Sequence, residues 1–368
     1  MALTDSGIRS VLSGFRLEGT CQGIKEMHSG NVHATYHLIY GPESENRDYI
    51  LQRINTYAFR EPQKMMENIV GITSHLRSRI TGQGQDPRRR VLEVIPARNG
   101  DLLYADPDGG CWRVYRFIAG ASAYDTTDPE KFYQVGRGFG RFQKLLIDYP
   151  ADSLYESIPY FHNTRRRFDQ LIKAIDEDTA GRVGQTKNEI DFIFDRRKML
   201  FRIVDLIENG TLPLRVTHND TKSNNVMLDQ STGEALCVID LDTVMPGSVL
   251  YDYGDAIRFG ANRAKEDEAD TSLIGLDMDK ARAFTKGFTE ETNGFLTREE
   301  LALLPLGISV MTGELIIRFL TDYLMGDPYF RIDYPEHNLV RARAQAALLR
   351  DIENRENELQ QMVNGLLR

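Results

Sequence analysis

The sequence predicts an α+β protein of two lobes, a small amino-terminal antiparallel sheet lobe and a larger, mainly helical carboxy-terminal lobe. Three observations predict it. The 368 residues exceed the size at which a single hydrophobic core stops growing, so the chain is expected to divide. Between Ile24 and Ile118, short apolar runs are separated by strong turn chemistry, Arg-Asn-Gly-Asp at 98–101 and Asp-Pro-Asp-Gly-Gly at 106–110. From residue 129 onward the apolar residues recur at helical spacing instead. The change falls at Ala119-Gly120, which sets lobes of 1–119 and 120–368.

In chain order, residues 5–16 read as a short helix with Ile8, Leu12 and Phe15 on one side. Ile24 to Tyr40 and Tyr49 to Ile54 then read as a hairpin pair around a polar turn at Gly41 to Arg47. Residues 62–80 follow a helical period through Met65, Ile69, Ile72 and Leu76. Glu67 on that helix faces either a cation on the sheet or solvent. Val91–Ile95, Leu102–Ala105 and Trp112–Ile118 complete the antiparallel sheet, the last as a half-buried alternating strand.

Helices are expected over Phe132 to Leu146, around Phe168 to Ile175, and over 187–209, the last capped by Asn209-Gly210. The acidic stretch Gly260 to Asp279 reads as a flap before a helix over 280–292. Thr297 and Glu300 have the spacing of a capping box. The following helix, to about 325, is expected to break near Pro305 to Gly307, and residues 336–366 read as one long closing helix.

Bulk composition excludes several classes. A hydrophobic fraction of 41% and a charged fraction of 27% are those of an ordinary globular chain, not of a disordered one. A net charge of -9 opposes general attraction to nucleic acid or anionic membrane, so neither is an expected partner, and a nucleotide has to be held by local geometry. Cys21, Cys111 and Cys237 form no Cys-x-x-Cys pair, which suits a reducing cytoplasm. The start of the chain lacks a basic segment followed by an apolar core, and no apolar run reads as long enough to span a bilayer.

The chemistry concentrates in residues 214–255. Leu214–Val216 and Leu236–Ile239 read as buried strands, each delivering polar residues at its carboxyl end, a place that favours function. His218-x-Asp220-x-x-x-x-Asn225 lets one loop present a carboxylate and a neutral oxygen ligand together, while Asp240 arrives from the next strand. Phosphoryl transfer needs one residue to align the attacking hydroxyl and others to hold the metal that bridges the nucleotide phosphates. Asp220, Asn225 and Asp240 fit those tasks, and their hard oxygens suit Mg2+. Taken singly, each reads first as a turn or capping residue; their combination on this spacing favours function. His218 is expected to be structural, Asp255 to brace the loop, and Asp242 to support the metal ligands.

These residues resemble the aminoglycoside phosphotransferase and choline kinase family. Within it, Thr-His-Asn-Asp-Thr-Lys-x-Asn-Asn followed by Ile-Asp-Leu-Asp-Thr-x-Met-Pro-Gly is similar to the bacterial N-acetylhexosamine 1-kinases, over nearly the whole chain. The resemblance implies a two-lobed, protein-kinase-like fold with ATP and Mg2+ as cofactors. It makes Asp220 the catalytic carboxylate, Asn225 and Asp240 the metal ligands, and the backbone of Phe117 to Ala119 the contact for the adenine edge.

A glycine-bearing tip at Ser29, Gly30 and Asn31 is either a plain turn or a phosphate contact. Gln52 stands where the third strand of a kinase carries lysine, a departure from the usual phosphate contact. Glu314, Arg318 and Asp322 recur at i, i+4, i+8, which reads as an ion-paired face or, with Tyr329, as the acceptor site that the resemblance places in the second lobe. The acceptor it implies is a sugar, phosphorylated at the anomeric hydroxyl. Aminoglycoside, choline or homoserine acceptors, an inactive binding module and a phosphohydrolase are the alternatives.

Overall fold

The computed structural model describes residues 5–27, 32–41, 47–125 and 128–367. The chain forms two compact units. One comprises Met1–Ala123, Asp148–Pro159 and Val226–Met245, the other Tyr124–Ile147, Tyr160–Asn225 and Pro246–Arg368.

The first unit is built on an antiparallel sheet of β1 (Gly23–Met27), β2 (Ala34–Ile39), β3 (Tyr49–Arg53), β4 (Val94–Ile95), β5 (Tyr104–Ala105) and β6 (Cys111–Arg116). Their spatial order is β1-β2-β3-β6-β4, with β5 paired to β6. Register aligns Gln52 of β3 with Thr35 on one side and Arg113 on the other. Helix α1 (Asp5–Leu12) packs Ile8, Val11 and Leu12 into one core with Tyr36, Leu38, Leu51, Trp112 and Val114.

Helix α2 (Pro62–Gly82) starts on a proline, whose missing N–H is no loss in a first turn. It buries Met65, Met66, Ile69, Ile72 and Leu76, while Glu67 is exposed and, among the described residues, accepts from Gln63 on its own helix, at 3.5 Å. A second, smaller sheet pairs Ala121–Ser122, Val226–Asp229 and Ala235–Val238.

Strand β6 corrects the half-buried reading, because Trp112, Arg113, Val114 and Tyr115 are all buried. Its polar alternate, Arg113, faces a buried carboxylate rather than water, as described below.

The second unit is a helical assembly of α3 (Pro129–Leu145), α4 (Thr164–Glu177), α5 (Lys187–Asp195), α6 (Arg197–Glu208), α7 (Val249–Gly260), α8 (Met278–Thr292), α9 (Arg298–Leu324), α10 (His337–Asn354) and α11 (Glu356–Leu366). Helix α9 is its axis, touching α4, α6, α7, α10 and α11. The Thr297–Glu300 capping box forms at its start. Glycines let backbones meet: a Cβ on Gly254 would lie 2.2 Å from the Gly307 carbonyl between α7 and α9, and one on Gly287 would lie 2.1 Å from the Tyr133 carbonyl between α8 and α3.

Three helix boundaries differ from expectation. Helix α9 runs unbroken through Pro305, because packing along its whole length outweighs one missing hydrogen bond. The helix expected over 187–209 is interrupted at Arg196, whose guanidinium is drawn to Glu353 of α10 at 2.7 and 2.8 Å. The closing helix is interrupted at Arg355, tied to Asp351 and Glu358.

One apolar helix does reach membrane-spanning length. The 27 residues of α9 include a window of mean hydropathy 1.6, of which 72% is buried inside the protein, the pattern of a core helix. The stretch 260–279 is tied down by pairing of Asn262 with Leu276 and by ion pairs of Glu266 with Arg258 and of Asp267 with His337.

Candidate active site

In the helical unit, the strand Arg215–Thr217 leads into a loop that α7 holds from beneath. Asp252, almost wholly buried, accepts the His218 amide at 2.9 Å and the Asn219 amide at 2.8 Å, and Gln143 of α3 donates to it at 2.6 Å. Burial pushes its carboxyl pKa up, against the pull of His218 and of these hydrogen bonds. One turn on, Asp255 accepts the Thr221 amide at 3.1 Å and pairs with Arg258. Burial opposes the charged form of Asp255, yet Arg258 and Lys222 together hold its pKa below the usual range.

This bracing supports a left-handed turn at Asn219, φ 64°, a conformation that asparagine tolerates better than most residues. His218 is enclosed, its ring edge-on to Phe139 and Phe142. Asp220 emerges half-buried. Its Oδ1 accepts from Lys222 at 2.9 Å, and its backbone carbonyl accepts from Asn225 Nδ2 at 2.8 Å. The Asn225 nitrogen is thus committed to the loop, which turns the amide oxygen the other way, as a metal ligand requires. Asp220 raises the Lys222 pKa, so a fixed cation stands beside the carboxylate.

In the sheet unit, Asp240 is exposed at the end of the strand Ala235–Val238, in a left-handed conformation with φ 59°, and a 3-10 turn, Leu241–Thr243, follows. Asp242 within that turn is buried. Arg113 of β6 donates to it twice, at 2.5 and 2.9 Å. His33 Nδ1 accepts the Asn55 amide at 3.0 Å, so the ring proton sits on Nε2 and is donated to Asp242 at 2.5 Å. Burial disfavours the Asp242 carboxylate, but Arg113 and His33 hold its pKa well below the usual range.

Gln52 completes the cluster: its carbonyl accepts from Arg113 Nε at 2.9 Å and its amide donates to Thr35 at 3.1 Å. The position expected to carry lysine therefore aims an arginine instead. That arginine is spent on the turn following Asp240.

Among the described residues, no group of three or more His, Cys, Asp or Glu side chains could hold a metal ion unaided. One exposed carboxylate and one amide oxygen are hard donors that suit Mg2+, which keeps waters and takes phosphate oxygens for the remainder. The chemistry of each donor fits.

Ser29, Gly30 and Asn31 lie outside the described residues. The Phe117 ring stacks on His37 at 4.3 Å and its amide donates to the Asp48 carbonyl, while the Ala119 carbonyl accepts from Arg89.

On α9, Glu314 is enclosed and accepts from His162 Nδ1 at 2.9 Å, and His162 Nε2 donates to the Asn219 carbonyl at 3.1 Å. Asp322 accepts the Tyr329 and Phe330 amides, each at 2.9 Å, fixing the segment after the helix. Arg318 and Tyr329 remain open. Sequence reasoning missed Asp252, His162 and Arg113. The spacing of Asp252 and Asp255 on one face of a helix was the only local signal.

The chain belongs to the phosphotransferase enzyme family, whose model matches residues 23–284. Similar solved structures include a microcompartment-associated aminopropanol kinase, at TM-score 0.64 and 18% identity over 97% of this chain and 99% of that one. An aminoglycoside phosphotransferase from Alicyclobacillus acidocaldarius matches at TM-score 0.62 and 14% identity, over 99% and 98%. An ethanolamine kinase from Plasmodium vivax matches at 0.55 and 14%, over 88% and 81%. The fold is the kinase-like α+β one.

Proposed function

We propose that the protein transfers the γ-phosphoryl group of ATP to a hydroxyl of a small molecule, with the anomeric hydroxyl of an N-acetylhexosamine as acceptor and the sugar 1-phosphate as product. The supporting observation is Asp220, an open carboxylate beside a fixed cation on a loop anchored by two buried aspartates. In this reading Asp220 aligns the acceptor hydroxyl and takes its proton as the new O–P bond forms and the bond to the β-phosphate oxygen breaks.

Asn225 and Asp240 would hold Mg2+, which supplies charge stabilisation to the phosphates when bound. Lys222 keeps Asp220 oriented between turnovers. Residues 1–119, through Ser29 to Asn31, Gln52, Phe117 and Ala119, serve the nucleotide, and residues 120–368 serve catalysis and the acceptor. A cytoplasmic location agrees with three cysteines that form no disulfide among the described residues.

Phosphorylation of an amino-alcohol or an aminoglycoside is the second reading, favoured by the acceptors named for the similar folds. Measuring acceptor-dependent ADP release with N-acetylhexosamines, aminoglycosides, ethanolamine, choline and homoserine separates the two. Asp220→Asn is expected to lower turnover by at least about 1,000-fold with unfolding unchanged. Turnover close to wild type in that variant would refute the catalytic role of Asp220.

A further inference from the structure

The stretch 261–277, between α7 and α8, is a folded loop whose base is closed by backbone hydrogen bonds. The Arg263 amide donates to the Gly275 carbonyl at 2.9 Å and the Asp277 amide to the Ala261 carbonyl at 2.7 Å. Within the loop, two consecutive acids face different elements. Asp267 reaches the first residue of α10, His337. Nδ1 of that ring accepts the Asp333 amide at 3.1 Å, so its proton sits on Nε2 and is donated to Asp267 at 3.2 Å. Glu266 turns to α7 instead, where its Oε1 accepts from Arg258 Nη1 at 2.8 Å.

Arg258 is 3% exposed and bridges two carboxylates. Nη1 serves Glu266, while Nε and Nη2 serve Asp255 Oδ1 at 3.1 and 2.6 Å. The other oxygen of Asp255 accepts the Thr221 amide of the catalytic loop at 3.1 Å. Lys222, next in that loop, donates to Asp220 at 2.9 Å. Its pKa is raised by Asp220 above all and then by Asp255 and Glu266, against the cost of burial. Signs therefore alternate outward from the catalytic carboxylate: Asp220, Lys222, Asp255, Arg258, Glu266. Such a chain is coupled, because the pull on each charge sets how strongly it holds the next. Glu266, with a third of its side chain exposed, is the one member outside α7 and the catalytic loop.

We infer that Glu266 is a positioning residue for phosphotransfer: from the loop it draws Arg258 and Lys222 outward, which leaves Asp220 open to the acceptor hydroxyl. This rests on the phosphotransfer reading above. Without the Glu266 charge, Arg258 is balanced by Asp255 alone and takes a larger share of that carboxylate. The outward pull on Lys222 weakens on both counts. Lys222 then closes on Asp220 and competes with the acceptor hydroxyl for the same group. An acceptor bound as well as before meets a carboxylate that is less open to its proton, an effect on kcat rather than on KM.

The test measures kcat and KM with ATP, Mg2+ and N-acetylglucosamine, at a temperature where circular dichroism shows every variant folded. Glu266→Gln should lower kcat on the order of 10-fold and change KM by under about 2-fold. Glu266→Asp, which keeps the charge, should restore most of the rate. Glu268→Gln is the control, since Glu268 holds the Asp270 amide within the same loop, and it should leave both constants unchanged. In a Lys222→Met background, Glu266→Gln should have under about 2-fold further effect, because the residue it acts through is gone. The same loss in both backgrounds, a loss confined to KM, or wild-type turnover in Glu266→Gln would each overturn the inference. Absence of turnover with every acceptor would instead refute phosphotransfer. Backbone amide NMR then decides the point without catalysis: the Asp220 and Thr221 resonances should shift in Glu266→Gln and not in Glu268→Gln, and unmoved resonances in Glu266→Gln would overturn the inference.

Discussion

Replacing Arg113 by methionine tests the buried cluster in the sheet unit. Arg113 is 1% exposed and donates twice to Asp242, once to Gln52 and weakly to the sulfur of Met66. Methionine fills most of the space but leaves the Asp242 carboxylate buried with His33 as its remaining side-chain donor. Breaking a buried pair by removing one partner costs about 3–5 kcal/mol.

Asp242→Asn alone is expected to cost about 2–3 kcal/mol through the charge-assisted bonds it weakens. In the Arg113→Met background the same change should cost under about 1 kcal/mol, since the stranded charge is then removed. Urea unfolding followed by fluorescence is selective, because Trp112 is the protein's single tryptophan and sits buried beside Arg113. If Asp240 holds Mg2+ as proposed, nucleotide affinity should fall together with stability, because the turn that follows Asp240 is released. A loss below about 1 kcal/mol in the single variant, or strict additivity in the double, would refute the reasoning.

Three further outcomes follow from the helical unit. Asp252→Asn leaves one of the two loop amides facing an amide nitrogen, for a loss of about 2–4 kcal/mol and slower turnover as Asp220 loosens; unchanged denaturation and rate would contradict the bracing role. Gly287→Ala drives a methyl into the Tyr133 carbonyl, at 2.1 Å before relaxation, and should cost about 1–3 kcal/mol, whereas wild-type chemical denaturation would show that the two helices separate freely. Burial raises the Glu314 pKa, but His162, Arg318 and Arg167 together hold it below its ordinary value. Its stabilisation is therefore present above about pH 4.3 and is lost as the pH falls through the lower folded-state value. The stability gap between wild type and Glu314→Gln, about 3 kcal/mol near neutrality, should narrow on acidification. Urea midpoints across pH would contradict this if the gap widened.

The parts of the molecule legible in the sequence are those fixed by local spacing. His218, Asp220 and Asn225 share one loop, turn residues bound the strands, and the capping box at Thr297 lies within four residues. What escaped the sequence depends on distant partners. Arg113 alternates with apolar neighbours and so reads as solvent-facing; its carboxylate lies 129 residues away, at Asp242. The break at Arg196 is set by Glu353, far along the chain. Pro305 reads as a breaker because its own chemistry is unfavourable in a helix, while the packing that keeps α9 continuous comes from helices before and after it. His162 lies 57 residues from the Asn219 carbonyl it supports, with no motif around it. Gln52 read as a missing lysine, and only its contact with Arg113 shows what stands in that place.

A phosphorus NMR spectrum of the reaction of ATP, Mg2+ and N-acetylglucosamine with the wild-type protein and with Asp220→Asn is the most direct measurement. Wild type should produce ADP together with a new phosphomonoester signal coupled to the anomeric proton, and Asp220→Asn should produce neither. ADP appearing only with free phosphate, or the same ester from both proteins, would contradict transfer to an acceptor hydroxyl directed by Asp220.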